Sequence, residues 1–236
     1  MKSQYYCIFA ILVLFFSCKK NATVAPPDLG YDYYPGKIRS YVIYDVDSVV
    51  YRQVQGDTLK FKFQIKETMD TLITDNQNRP TIKLIRYKKT YSPTVPYSAM
   101  TWTLQDVWAA NKTTTDVEVV EENVRYTKLA FSTKQDAVWN GTAHADTTEQ
   151  DYKYTSFDSP LTLNGNSFAK TLTVQQHYDV NLVYYQNYYE QYARGVGLIY
   201  KQIVNYVYKQ DAQGLHPGVI AGGLYYVETV NSYGTE

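Results

Sequence analysis

The chain has 236 residues, with 23 Lys and Arg against 23 Asp and Glu, so its formal net charge is zero. That balance, with no basic block and no basic-aromatic motif, argues against a nucleic-acid partner. Tyrosine is the outlier at 26 residues, against eight Phe and three Trp; Tyr and Thr favour pleated, half-buried surfaces, and helix formers such as Ala and Leu are scarce, which points to a mostly β domain.

At the start of the chain, Lys2 precedes an apolar run from Cys7 to Phe16, and Ser17-Cys18 follows at once. The run is too short for the roughly twenty residues that a membrane-crossing helix needs. A short apolar segment, a small residue and a cysteine instead have the layout of a bacterial lipoprotein signal, with Cys18 as the lipid acceptor. Leu14 stands one step early for that pattern, and Phe15 and Phe16 depart from it. Thr23-Val24-Ala25 is a rival secretory cut, disfavoured by Pro26 directly after it; a buried N-terminal core helix is the third reading.

Cleavage before Cys18 removes Cys7 as well, so the mature chain keeps one cysteine and no disulfide, and its fold must rest on an apolar core. Asn21–Leu29 is small, polar and Pro-containing, which reads as a flexible tether. The expected division is a signal over 1–17, a lipidated tether over 18–30 and a single β-rich domain over 31–236. Lys19 and Lys20, rather than Asp, follow Cys18, and no acid occurs before Asp28. That favours an outer-membrane lipoprotein on the periplasmic face over inner-membrane retention or surface display.

Tyr41–Tyr51 is rich in Val, Ile and Tyr and reads as a strand. Gln55-Gly56-Asp57 turns the chain into Leu59–Lys66, where strict alternation puts Leu59, Phe61, Phe63 and Ile65 on one buried face and the lysines in water. Asp75–Pro80 is a turn cluster. Thr81–Tyr91 and Ser98–Val107 follow as strands, and Val117–Val120 and Val124–Phe131 flank a hairpin turn at Glu121-Glu122-Asn123. Asn164-Gly165-Asn166 is a tight-turn signal, because Asn and Gly tolerate positive φ. It precedes Phe168–Tyr178, whose alternation sets Phe168, Leu172, Val174 and Tyr178 on one side. Val183–Ala193, Val196–Lys209 and Leu224–Val230 complete the set, with Tyr185–Gln191 also readable as a helical turn or two. At least eight short strands with turns between them imply a single curved antiparallel sheet, half-barrel or barrel-like, with little helix.

Tyr192-Ala193-Arg194-Gly195-Val196-Gly197-Leu198-Ile199 resembles a segment found near the C-terminus of many bacterial envelope lipoproteins, especially in Bacteroidota. Tyr33-Tyr34-Pro35-x-Lys37 with Tyr41 and Tyr44, and Trp139-Asn140-Gly141-Thr142-Ala143, are similar to their opening and mid-chain elements. The resemblance implies a curved antiparallel sheet wrapped partly around a helix or hydrophobic groove, as in lipoprotein carriers, and a non-enzymatic role. On the residues themselves, Gly195 allows a turn and Gly197 a close backbone approach.

Four Asp-Ser/Thr-x triplets match the Bacteroidota O-glycosylation sequon, with acceptors Ser48, Thr58, Thr71 and Thr147; such pairs also simply start turns. His144-Ala145-Asp146 and His177-Tyr178-Asp179 could each offer two ligands from one strand face, but lone solvent-facing pairs are commoner, so no metal or cofactor is expected. No nucleophile motif, phosphate loop or free mature cysteine occurs, and Glu190 has no evident partner carboxylate, so no enzyme is expected. The tyrosine clusters, with Tyr184, Tyr188 and Tyr192 as candidate contacts, could line an apolar groove or form a sugar-stacking platform. The plain alternative is Tyr as a strand residue with an apolar ring and a wet tip. The resulting expectation is a non-enzymatic, outer-membrane-anchored binding or structural module for an apolar ligand, with glycan binding on a tyrosine platform as the alternative. A protein partner stays open.

Overall fold

The computed structural model describes residues 27–131 and 133–236; Cys18 and the signal lie outside them. Twelve strands make up the described chain: β1 (Ser40–Arg52), β2 (Asp57–Thr74), β3 (Pro80–Thr90), β4 (Thr103–Lys112), β5 (Asp116–Glu121), β6 (Val124–Ala130), β7 (Val138–Asn140), β8 (Asp151–Leu163), β9 (Asn166–Val180), β10 (Tyr184–Ala193), β11 (Gly197–Asp211) and β12 (Gly214–Thr235). The mainly β, barrel-like fold expected from the composition is the one adopted. Among the described residues there is no α-helix of the kind the resemblance implied, and Tyr185–Gln191 is part of strand β10 rather than a helical turn. The strand expected at Ser98–Val107 begins at Thr103, after a 3-10 turn at Tyr97–Ala99.

All twelve strands join one antiparallel sheet in the order β6-β5-β4-β3-β2-β1-β12-β11-β10-β9-β8-β7. First and last strands pair along their length, from Ser40 opposite Thr235 to Tyr51 opposite Gly223. The two free edges are therefore β6 and β7, which are consecutive in the chain, and the sheet nearly closes on itself there. Thr127 N–H donates to the Gly141 carbonyl (2.8 Å). The Trp139 indole N–H donates to the Thr127 carbonyl (2.8 Å). The Tyr154 hydroxyl accepts from Ala130 N–H and donates to its carbonyl, at 2.9 Å each. Closure of this kind satisfies edge groups that would otherwise template aggregation. Gly141 is required at the seam: a Cβ there would enter the Tyr152 ring. The Trp139–Ala143 motif is thus the barrel's clasp.

Turn chemistry behaves as read. Asn164 and Gly165 take φ of 46° and 79°, and Glu122 and Asn123 take 49° and 65°, both pairs suited to tight hairpins. Gly195 has φ 75° in the β10–β11 turn. Gly197 differs from the expectation: only Pro35 comes within 4 Å of an added Cβ, and it is the φ of 102° that calls for glycine.

The strand pattern is less uniform than expected. On β2, Ile65 is buried, Phe63 half-buried, Phe61 47% exposed and Leu59 37% exposed. The β1–β2 hairpin runs past the end of the core, so the same face empties toward its tip. On β9, Phe168, Leu172 and Val174 are buried but Tyr178 is 64% exposed. Gln175 pairs with Tyr189 and His177 with Tyr188, which leaves Gln176 as a bulge. One extra residue reverses the parity of everything beyond it.

One end of the barrel is closed by the N-terminal segment. Tyr33 and Tyr34, on and just after a 3-10 turn at Tyr31–Tyr33, insert among Met69, Leu84, Val117, Leu129, Tyr154 and Leu172. Arg194 clamps this plug: its guanidinium meets Asp28 (2.8 Å), Asp32 (2.7 Å) and Asp158 (3.0 Å), and lies 4.6 Å over the Tyr33 ring. Gly195 N–H donates to the Asp32 carbonyl (2.8 Å).

Candidate functional site

Above the plug, the interior turns from apolar to charged. Glu67 (β2), Arg86 (β3), Glu121 (β5), Lys128 (β6), Glu190 (β10), Lys201 (β11) and Glu228 (β12) form a layer across the barrel. Arg86 Nη2 donates to Glu228 (2.6 Å), which also accepts from the Tyr226 hydroxyl (2.5 Å). Arg86 Nε lies 3.4 Å from Glu67 yet makes no hydrogen bond. The other half is a quartet. Lys128 Nζ contacts Glu121 (2.8 Å) and Glu190 (2.9 Å), and Lys201 Nζ contacts Glu121 (3.1 Å) and Glu190 (3.6 Å). The Tyr192 hydroxyl donates to Glu190 from below (2.7 Å).

Ionised, this layer holds four carboxylates against three cations. Buried charge is costly unless paired, and the odd carboxylate is the one least well bonded. Burial raises the Glu67 pKa to about 7, only partly opposed by Arg86 and reinforced by Glu228 and Glu121. Burial also works against the charges of the quartet, but there the partners win. Lys128 and Lys201 hold Glu121 down at about 2, and Glu190 is lowered by the same two ammoniums. Glu121 and Glu190 in turn raise Lys128.

Glu121, Lys128 and Lys201 of the quartet form the floor of a cup, and Glu190 lies buried beneath them. The cup has a volume of about 290 Å³, with walls from Tyr126, Gln150, Tyr152, Gln176, Tyr188 and Ile203. Two of its polar groups come from bulges. Lys128 has no partner in β5, since Val117 pairs with Leu129 and Glu118 with Thr127; Gln176 is the β9 bulge. Bulges re-aim side chains and recur beside functional sites. The Gln176 side-chain nitrogen is buried, with no hydrogen-bond partner. A void of only about 30 Å³ remains beneath, lined by charged as well as apolar groups.

The expected contact tyrosines fall on one inward face of β10 at three depths. Tyr184 donates to Asp179 (2.6 Å), Tyr188 walls the cup beside the His177 ring (5.2 Å), and Tyr192 is buried below the floor. They form no flat platform. The outward tyrosines do align: Tyr178, Tyr185 and Tyr206 follow one another at 6.4 and 6.3 Å, and Tyr206 meets Tyr51 at 5.4 Å across Gly223, which faces both. Among the described residues, the plugged half of the interior is filled by apolar side chains and the part above it is charged.

The four sequon acceptors separate. Thr58, Thr71 and Thr147 are exposed, whereas Ser48 is 8% exposed and sits in β1. The His-x-Asp pairs do not converge: His144 lies 3.3 Å from Glu118, and His177 bonds Gln186 (2.9 Å). Sequence reasoning passed over Lys128, Gln176, Glu121 and Lys201. Two signals were available: Tyr126 and Leu129 are out of step for one strand face, and Gln175-Gln176 doubles a polar position.

No protein-family model and no curated protein matches the chain. A solved structure from Parabacteroides distasonis, of a protein provisionally described as a lipoprotein, aligns with 89% of this chain and 100% of its own, with a TM-score of 0.37 and 8% identity. So loose a likeness carries no weight for family or function.

Proposed function

We propose that this protein is a non-enzymatic, outer-membrane-anchored envelope lipoprotein, held through Cys18 on the periplasmic face, whose barrel binds a small polar ligand in the cup. The observation that carries the binding reading is the buried, unpartnered Gln176 amide on a bulge in the cup wall. An orphaned buried donor costs about 1–3 kcal/mol, and a ligand acceptor recovers it. The charged floor favours a polar guest over the apolar one suggested by the resemblance. The anchor reading rests on the sequence of residues 1–18.

Two measurements test this reading. Metabolic labelling with a palmitate analogue should tag the parent and leave Cys18→Ala unlabelled; equal labelling refutes the anchor. With the Ile203 methyl isotopically labelled, a library of polar fragments should yield hits that shift its resonance. Hits confined to the outer wall would place binding elsewhere.

A further inference from the structure

We infer that the ligand of the cup is a neutral sugar unit. This rests on the cup being the binding site and adds the chemical class of its occupant. The first argument is charge. Lys128 and Lys201 on the floor are matched, two against two, by Glu121 beside them and Glu190 buried just beneath, so they offer donors without uncompensated charge. An anion would have to draw a lysine away from buried carboxylates and leave them unpaired, which is strongly unfavourable. A cation would meet the ammoniums at the same floor.

The second argument is the hydrogen-bond inventory. An ammonium has three donors and a glutamine amide two. Lys128 directs two at Glu121 and Glu190, and Gln176 uses neither of its own. Among the described residues, the hydroxyls of Tyr126, Tyr152 and Tyr188 make no hydrogen bond. Spare donors therefore sit beside hydroxyls that both donate and accept. A polyol, whose own hydroxyls do both, satisfies this mixture; a purely accepting or purely apolar guest leaves part of it unmet.

The third argument is shape. Three tyrosine rings and Ile203 give the wall apolar surface between its polar groups, the combination that a sugar ring needs for its C–H face and its hydroxyl rim. Sugar recognition thus belongs inside the mouth of the barrel, not on the outer tyrosine row.

Ligand-observed saturation transfer, read together with protein-observed spectra of the labelled Ile203 methyl, tests this on the mature protein with glucose, galactose and N-acetylglucosamine, against glucuronate, glucosamine and laurate. At least one neutral sugar should bind and shift the Ile203 methyl. Gln176→Ala and Tyr188→Ala should weaken it by about tenfold or more, and Tyr185→Ala on the outer wall by less than about twofold. If only glucuronate, glucosamine or laurate shifts Ile203, the sugar assignment falls and the cup reading stands. Sugar binding that depends on Tyr185 and leaves Ile203 unmoved overturns both. So does the absence of any shift at Ile203 in the folded parent, a readout that does not depend on the variants folding.

Discussion

Glu67 shows how one residue sets a pH dependence for the whole fold. Its pKa in the folded state is raised to about 7, against 4.5 for an unhindered glutamate. Between those values the folded state holds a proton that the unfolded chain has released. Its contribution is complete below about pH 4.5 and is lost as pH rises through 7. Glu67→Gln mimics the protonated form, so it should stabilise the protein by up to ~3 kcal/mol at pH 8 and change little at pH 4, read from urea unfolding at both. Glu121 works in the other direction: its lowered pKa adds stability above the ordinary glutamate range, lost as pH falls toward 2. Lys128→Met leaves Glu121 and Glu190 with one of their two shared cations, and a loss of about 3–5 kcal/mol is expected in the same assay. A change under about 1 kcal/mol would mean that the quartet is solvated rather than buried.

At the scale of elements, closure depends on a short stretch. β7 has three residues, and its pairing with β8 is correspondingly brief. The bonds from Thr127 and Trp139 to the opposite edge, with the Tyr154 hydroxyl, complete the ring. Gly141→Ala forces the Tyr152 ring to move, at about 1–3 kcal/mol. The expected signature is faster hydrogen exchange at the Thr127 amide than at amides of β12, together with a lower Tm. Uniform exchange across the sheet would show that the clasp opens only on global unfolding. Strands β7 and β8 are also the ones the sequence did not announce. Asp151–Leu163 has polar residues on both faces and a Pro, and it pairs with β9 through repeated register shifts. No period survives such irregularity, so its strand character comes from its neighbours rather than its pattern.

For the whole molecule, the N-terminal plug substitutes for the helix or apolar ligand that a curved sheet commonly encloses. Tyr33 is 0% and Tyr34 5% exposed, and Arg194 holds the segment from three carboxylates. Tyr34→Ala should cost about 3–5 kcal/mol, since it removes a ring from a filled core. Urea unfolding that shows less than about 1 kcal/mol would indicate a plug that can leave without unfolding the barrel.

The sequence by itself determined that this is a β protein, where most strands lie and how several of them turn. Alternation and turn residues act within a few positions of chain and need no distant partner. Which face of a strand looks inward past a bulge, where the sheet closes and which charges meet were decided by the tertiary structure. Lys128 and Glu190 are 62 residues apart and Arg86 and Glu228 are 142 apart. Their pairing depends on a circular strand order that local periodicity does not encode, and the cup exists only because that order brings two bulges to one mouth.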